Sequence, residues 1–160
     1  YQSKRASSGR TMPCPTVARL VQITFTELRR IDALARLRFK YHVTEFSLLH
    51  WRSHADDVLA GKTWSGPCAD LTSTVLDLAT REGAALEDCY RLLVSLSGQH
   101  KPDHMVGCIL TSDDGFVIVG DTTHKPYSHS AMTHGPCEYN RLSEAGKDPI
   151  WRTGVPWKAQ

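Results

Sequence analysis

The chain has 160 residues, 41% of them apolar and 22% charged; this is globular composition in a length that suits one domain, and it excludes a largely disordered chain. Nineteen Lys and Arg against 17 Asp and Glu leave a formal charge of +2, too close to neutrality to favour nucleic acid or an anionic membrane as partner. The longest apolar runs, 105–110 and 116–119, fall far short of the roughly 20 residues that cross a bilayer, so no membrane span is expected.

Residues 1–15 are rich in Ser, Lys and Arg and close on Pro13 and Pro15. They read as a flexible basic arm, with 16–160 forming the single domain. With no interleaved aromatics, Lys4, Arg5 and Arg10 read as a solvated tail and not as a nucleic-acid contact. From Thr16 an apolar stripe recurs at helical spacing through Val17, Leu20, Val21, Leu28, Ile31, Leu34 and Ala35, predicting one or two helices up to Lys40. Ser53 is placed to cap a short helix over 54–60 that stops at Gly61.

Residues 61–67, Gly-Lys-Thr-Trp-Ser-Gly-Pro, read as a turn-rich loop. Pro67 suits the first turn of a helix, where its missing N–H would have had no partner, and that helix runs to Glu82 before Gly83. Cys68, Leu71, Val75, Leu78 and Ala79 form its apolar stripe, which puts Cys68 at the extreme N-terminus. After Gly83 the period changes to two, with Tyr90, Leu92, Val94 and Leu96 alternating against Arg91, Leu93, Ser95 and Ser97. A hairpin of 104–111 and 116–121 follows around Ser-Asp-Asp-Gly. Beyond Asp121 the chain is rich in His, Pro, Gly and Ser, and periodicity fades. Helices first and antiparallel strands afterwards indicate an α+β domain.

A thiol in the first turn of a helix lies near the positive end of the macrodipole and close to unpaired N–H groups, both of which favour thiolate. The same N–H groups suit a developing oxyanion. Burial as a small apolar side chain is the plain alternative for Cys68. His104 and Asp121 strengthen the chemical reading. An even-length turn at 112–113 opposes residues whose numbers sum to 225, and 104 plus 121 gives that sum. Imidazole and carboxylate would then stand side by side, roughly 5 Å apart at Cβ, one ring nitrogen held and the other facing a nucleophile. Taken singly, His104 reads as a strand histidine with a backbone partner and Asp121 as a strand-end cap.

Trp51, Gly61 and Gly66-Pro-Cys68-Ala-Asp70, then His104-Met-Val and Val119-Gly-Asp121, resemble the bacterial transglutaminase-like cysteine peptidases over about 44–151. Tyr139, Asp148 and Trp151 are similar to a weaker C-terminal pattern of that family. The resemblance implies a papain-like or transglutaminase-like fold, with N-terminal helices and the nucleophile helix packed on an antiparallel sheet. It implies thiol-dependent cleavage of a peptide or related amide, with Cys68 as nucleophile, His104 as general base and acid, and Asp121 as orienting carboxylate. Family members include periplasmic proteases, and some bind calcium through acidic residues after the cysteine. Here Ala69 and Pro67 stand where acidic residues are common, so no cofactor is expected from the residues and calcium only from the resemblance. Two further outcomes stay open: a protein-crosslinking acyltransferase, and a catalytically silent module in a virion or other assembly. No charged segment leading into an apolar run marks a secretory leader, so the compartment is not legible.

Trp64 and Asp70 are candidates for lining the cleft or aiding the oxyanion, although a loop Trp more often anchors its turn. His124, His129, His134 and Cys137 crowd into fourteen positions, but steps of five, five and three residues do not stack on a helix face. They are weak metal candidates. Five cysteines, Cys14, Cys68, Cys89, Cys108 and Cys137, with no Cys-x-x-Cys pair, give no disulfide framework; Cys89 and Cys108 read as core.

Overall fold

The computed structural model describes residues 21, 23–42, 50–96, 101–144, 146 and 149–159, with the side chain of residue 137 excepted. The expected basic arm, the stripe positions Val17 and Leu20, Cys14 and Asp148 lie outside the described residues.

The first described helix, α1 (Phe25–Arg36), starts where Thr24 and Glu27 form a reciprocal capping box. Leu28, Ile31 and Ala35 are fully buried on its inner face, which is the predicted stripe. A short helix α2 (Ala55–Leu59) begins with the Ala55 N–H donating to the Ser53 hydroxyl at 3.2 Å, and Gly61 ends the turn at φ 73°. Helix α3 (Cys68–Arg81) opens on Pro67 in an extended conformation and is buried along most of its length. Gly83, at φ 110°, follows its C-terminus.

The loop expected over 61–67 is partly a strand. Residues 39–41 (β1, Phe39–Tyr41) and 64–66 (β2, Trp64–Gly66) pair in parallel. Pairing satisfies backbone groups that a loop entering a buried helix would otherwise strand. Runs of three residues are too short for their period to register in sequence.

The main sheet has six strands: β3 (Cys89–Ser95), β4 (His104–Thr111), β5 (Gly115–Val119), β6 (Tyr127–Ser128), β7 (Gly135–Arg141) and β8 (Arg152–Thr153). Their order is β6-β5-β4-β3-β7-β8, every pair antiparallel. On one face Cys89, Ile109, Val117 and Val119 pack against α1 and α3 through Leu71, Val75 and Ile31. On the other, Tyr90, Leu92, Val106, Cys108 and Ile118 pack with Tyr139 and Trp157. Cys89 and Cys108 are core residues, as expected; burial pushes the Cys89 thiol up to about 12.

Two expectations fail in detail. The hairpin pairs Thr111 with Gly115 and Gly107 with Val119, a sum of 226 where 225 was expected. Three residues turn the chain, with Gly115 at φ 65° supplying the left-handed position that such loops use. His104 and Asp121 are therefore not cross-strand neighbours. The second failure is β7, which falls in the segment where periodicity fades. Its register against β3 slips by one between Leu93 and Val94, so 138 faces 93 and 136 faces 94. A bulge of this kind accommodates Pro136 and breaks the alternation that would have announced a strand.

Candidate functional site

Cys68 is the first residue of α3. The Asp70 and Leu71 N–H groups bond to the Pro67 carbonyl at 3.0 and 3.3 Å, so the N–H groups of Cys68 and Ala69 are the first-turn donors without an acceptor inside the helix. Cys68 and Ala69 pack with Leu93 and Met105, and Trp51 and Trp151 cover that cluster, edge to face with ring centroids 6.4 Å apart. The chain enters through Gly66, where a Cβ would stand 2.7 Å from an Asp70 oxygen; only glycine lets the strand pass so close to the helix.

His104 opens β4, and its Nε2 lies 2.8 Å from Asp121 Oδ1. Asp121 reaches it from just beyond β5. Gly120 takes φ 64° and turns the chain there, with a hypothetical Cβ only 2.8 Å from Thr72 Cα. The turn is anchored on both sides. The Gly120 N–H donates to Asp32 Oδ2 at 2.8 Å; Arg36 pairs with the same Asp32 and donates to the carbonyls of Asp121 and His124 at 2.7 and 2.9 Å. The Thr72 hydroxyl of α3 reaches the Gly120 and Met105 carbonyls at 3.0 and 3.3 Å. One side chain of the cysteine helix thus touches both strand segments that carry the histidine and the aspartate. The Gly-Asp dipeptide does locally what the expected hairpin register was to do.

Burial lowers the proton affinity of the His104 ring, but hydrogen bonds to Asp121 and to Cys68 outweigh it and raise its pKa to about 9. With Nε2 committed to Asp121, Nδ1 is the ring nitrogen that does not face the carboxylate. Burial pushes the Asp121 carboxyl up, and its hydrogen bonds from His104, Thr123 and His134 overcome this and hold it well below the usual carboxylate range. Asp121 is 1% exposed. The His104 imidazole is thus held against a fixed, buried anion.

Spacing along the chain marks His134 only as a weak metal candidate. It lies just before β7, and its Nε2 stands 2.8 Å from Asp121 Oδ2; the Thr123 N–H and hydroxyl donate to Oδ1 at 2.9 and 2.6 Å. Asp121 therefore bridges two imidazoles. Of the other weak metal candidates, His124 Nδ1 is 3.5 Å from Asp121 Oδ2. His129 lies elsewhere, on the Phe116 carbonyl and the Trp157 ring. The side chain of Cys137 lies outside the described residues. His104, Asp121 and His134 bring ligand atoms to within 4.8 Å of one another. The segment 122–134 loops back on itself to bring His134 there, a route that helical spacing does not describe.

Trp64 is an anchor. Its indole N–H donates to the Ala35 carbonyl at 3.0 Å, which removes it as an oxyanion donor. Asp70 turns to α2: Oδ1 accepts from the Arg52 N–H at 3.1 Å and Oδ2 lies 2.9 Å from His54 Nε2. His54 stacks on Trp64 with ring centroids 4.7 Å apart. Tyr41, at the end of β1, was not anticipated. It is largely exposed, and its hydroxyl is pushed up by partial burial and by the charge of Cys68.

A calcium ion binds six to eight oxygens. Around Asp70 both carboxylate oxygens already accept N–H groups, and Pro67 and Ala69 bring no carboxylate. The cluster at Asp121 is two imidazoles and one carboxylate, a donor set for borderline transition metals. Among the described residues, neither set supplies the six to eight oxygens that calcium takes.

No family model matches the chain, and no curated protein matches its sequence. Among solved structures it is similar to calcium-bound LapG of Legionella pneumophila, with a TM-score of 0.51 and 18% identity. The likeness covers 70% of this chain and 62% of LapG. This similarity bears on architecture: a mixed helical and antiparallel domain consistent with the transglutaminase-like α+β fold.

Proposed function

We propose that the chain is a thiol-dependent hydrolase that cleaves a peptide or related amide bond. The observation that carries this reading is the buried His104–Asp121 pair, 2.8 Å apart, whose imidazole also feels Cys68 at the first position of α3. LapG, a structural neighbour, is a calcium-dependent cysteine protease, which agrees in reaction class.

In this reading Cys68 sulfur attacks the amide carbonyl as thiolate, with the proton held by His104. The first-turn N–H groups of Cys68 and Ala69 donate to the tetrahedral oxyanion. His104 then delivers its proton to the departing amine, and Asp121 holds the ring in orientation throughout. Water, activated by the same imidazole, hydrolyses the thioester and restores the thiol. Release by an amine in place of water would make the same site a crosslinking acyltransferase. His134 is a positioning residue: by donating to the second oxygen of Asp121 it fixes the carboxylate plane that faces His104. Calcium enters none of these steps.

The test is alkylation followed by turnover. Iodoacetamide at pH 6–7 should modify Cys68 well ahead of Cys89 and Cys108. An activity-based thiol probe should label the wild type and neither Cys68→Ala nor His104→Ala. Equal, slow alkylation of every accessible thiol would instead support a silent binding module.

A further inference from the structure

Beside the candidate site lies a cavity of about 340 Å³, lined by Trp51, Ser73, Leu76, Asp77, Arg91 and Leu142 among others. It shares a wall with the site: Trp51 packs against the cluster that holds Cys68 and Leu93, and Arg91 lies two residues before Leu93 on the same face of β3.

Two polar groups at this cavity lack partners among the described residues. Arg91 is 9% exposed and its Nε makes no hydrogen bond; the Ser73 hydroxyl, 4% exposed, makes none either. A guanidinium is rarely buried without an anion. Arg91 instead lies over the Trp51 ring, 4.4 Å from its centroid. Burial lowers its pKa to about 10, with the charge of Cys89 offsetting only part of the shift. Asp77, the acid in the lining, is engaged elsewhere, by the Ser53 hydroxyl at 2.6 Å and Arg81 Nε at 3.2 Å.

We propose that this cavity is a specificity subsite that seats the carboxylate of an acidic side chain of the substrate against Arg91, with Ser73 as a second donor. A planar carboxylate takes two parallel N–H bonds from a guanidinium, and apolar Leu76 and Leu142 suit the methylene stem that carries it. That the ligand is a peptide rests on the hydrolase reading; that the cavity takes an anion does not.

The experiment is an NMR titration of the intact chain, following the Arg91 Nε–H and Trp51 indole N–H resonances. The probes are N-acetylglutamate N-methylamide, its glutamine counterpart and inorganic phosphate. The glutamate compound should bind at least about tenfold more tightly than the glutamine compound, since the two differ by one charge-assisted bond pair. Arg91→Gln should erase the difference, Arg91→Lys should retain part of it, and Ser73→Ala should reduce it by about threefold. The wild-type comparison between the two compounds is decisive even where a variant does not fold. Equal affinities for the two compounds overturn the proposal, and so does phosphate binding as tightly as the glutamate compound. Discrimination in a protein that never cleaves a peptide upholds the anion site and overturns the hydrolase reading.

Discussion

Two histidine–aspartate pairs, one buried and one part-buried, flank the first turn of α3, and their geometry is nearly the same. His104 Nε2 lies 2.8 Å from Asp121 and His54 Nε2 lies 2.9 Å from Asp70. They differ in what the second ring nitrogen meets. His54 Nδ1 faces another carboxylate, Asp57, at 3.8 Å, and its ring is stacked on Trp64. The His104 ring has one carboxylate, and the further group that acts on its proton affinity is the Cys68 thiol. A histidine between two acids is a fastener; on the proposed function, His104 has a proton to move. A His–Asp contact alone says little about chemistry, and the third group assigns the role.

Removing either ring tests that contrast. His104→Ala should lower kcat/KM for amide cleavage by about 10⁴-fold or more with the fold retained, measured by single-turnover kinetics beside circular dichroism. Comparable activity in that variant would end the hydrolase reading. Asp121→Asn should lower kcat by roughly 10³-fold, because the amide neither fixes the tautomer nor holds the ring's proton. It should also move the alkaline limb of the pH–rate profile. In the wild type that limb is expected near pH 9, where His104 gives up the proton that the leaving amine needs; without the carboxylate it should fall toward the ordinary histidine range.

The same shift bears on stability. The folded-state pKa of His104, about 9, lies above the ordinary histidine value of 6.5. The stabilisation is therefore fully present below about pH 6.5 and is lost as pH rises through 9. Urea midpoints should decline across that window, and the decline should be absent in His104→Gln.

His134→Gln tests the second imidazole on Asp121. It retains a donor, so kcat should fall by about tenfold or less while KM stays near wild type, and the alkaline limb should shift modestly. His134→Ala should do more, since it leaves Asp121 Oδ2 without that donor. The smallest effect on catalysis belongs to the fastener. His54→Ala should change kcat less than twofold and destabilise the fold by about 1–3 kcal/mol, because Asp70 loses a hydrogen-bond partner in a mostly buried place. Denaturant melts beside kinetics separate the two pairs; a large kcat loss in His54→Ala would collapse the distinction.

Much of this is legible in the chain. Pro67 and Gly83 bracket α3, and the apolar stripe between them puts Cys68 at its first position. The edges of β4 follow from Ser-Asp-Asp-Gly and the alternation before it. The expected register is off by one because Gly115, at φ 65°, makes a three-residue turn, and an isolated glycine after two aspartates does not distinguish the loop lengths. Resemblance and order along the chain single out Cys68, His104 and Asp121, yet Asp121 arrives through the Gly120 turn and not by strand pairing. His134 stands out less than it should, because helical spacing is the wrong ruler for a segment that folds back on the sheet. Tyr41 and Arg91 give no signal: one lies in a strand too short to show a period, the other in an alternating strand whose two faces are both buried.

The Thr72 hydroxyl has a consequence for heat inactivation. It ties the cysteine helix to the backbone on which both remaining partners ride, at Met105 and Gly120. Those partners cannot drift from the sulfur one at a time; the layer of helices must first lift off the sheet. Loss of turnover and loss of tertiary structure should therefore share one midpoint in the wild type, and Thr72→Val should open a gap between them, with turnover fading first.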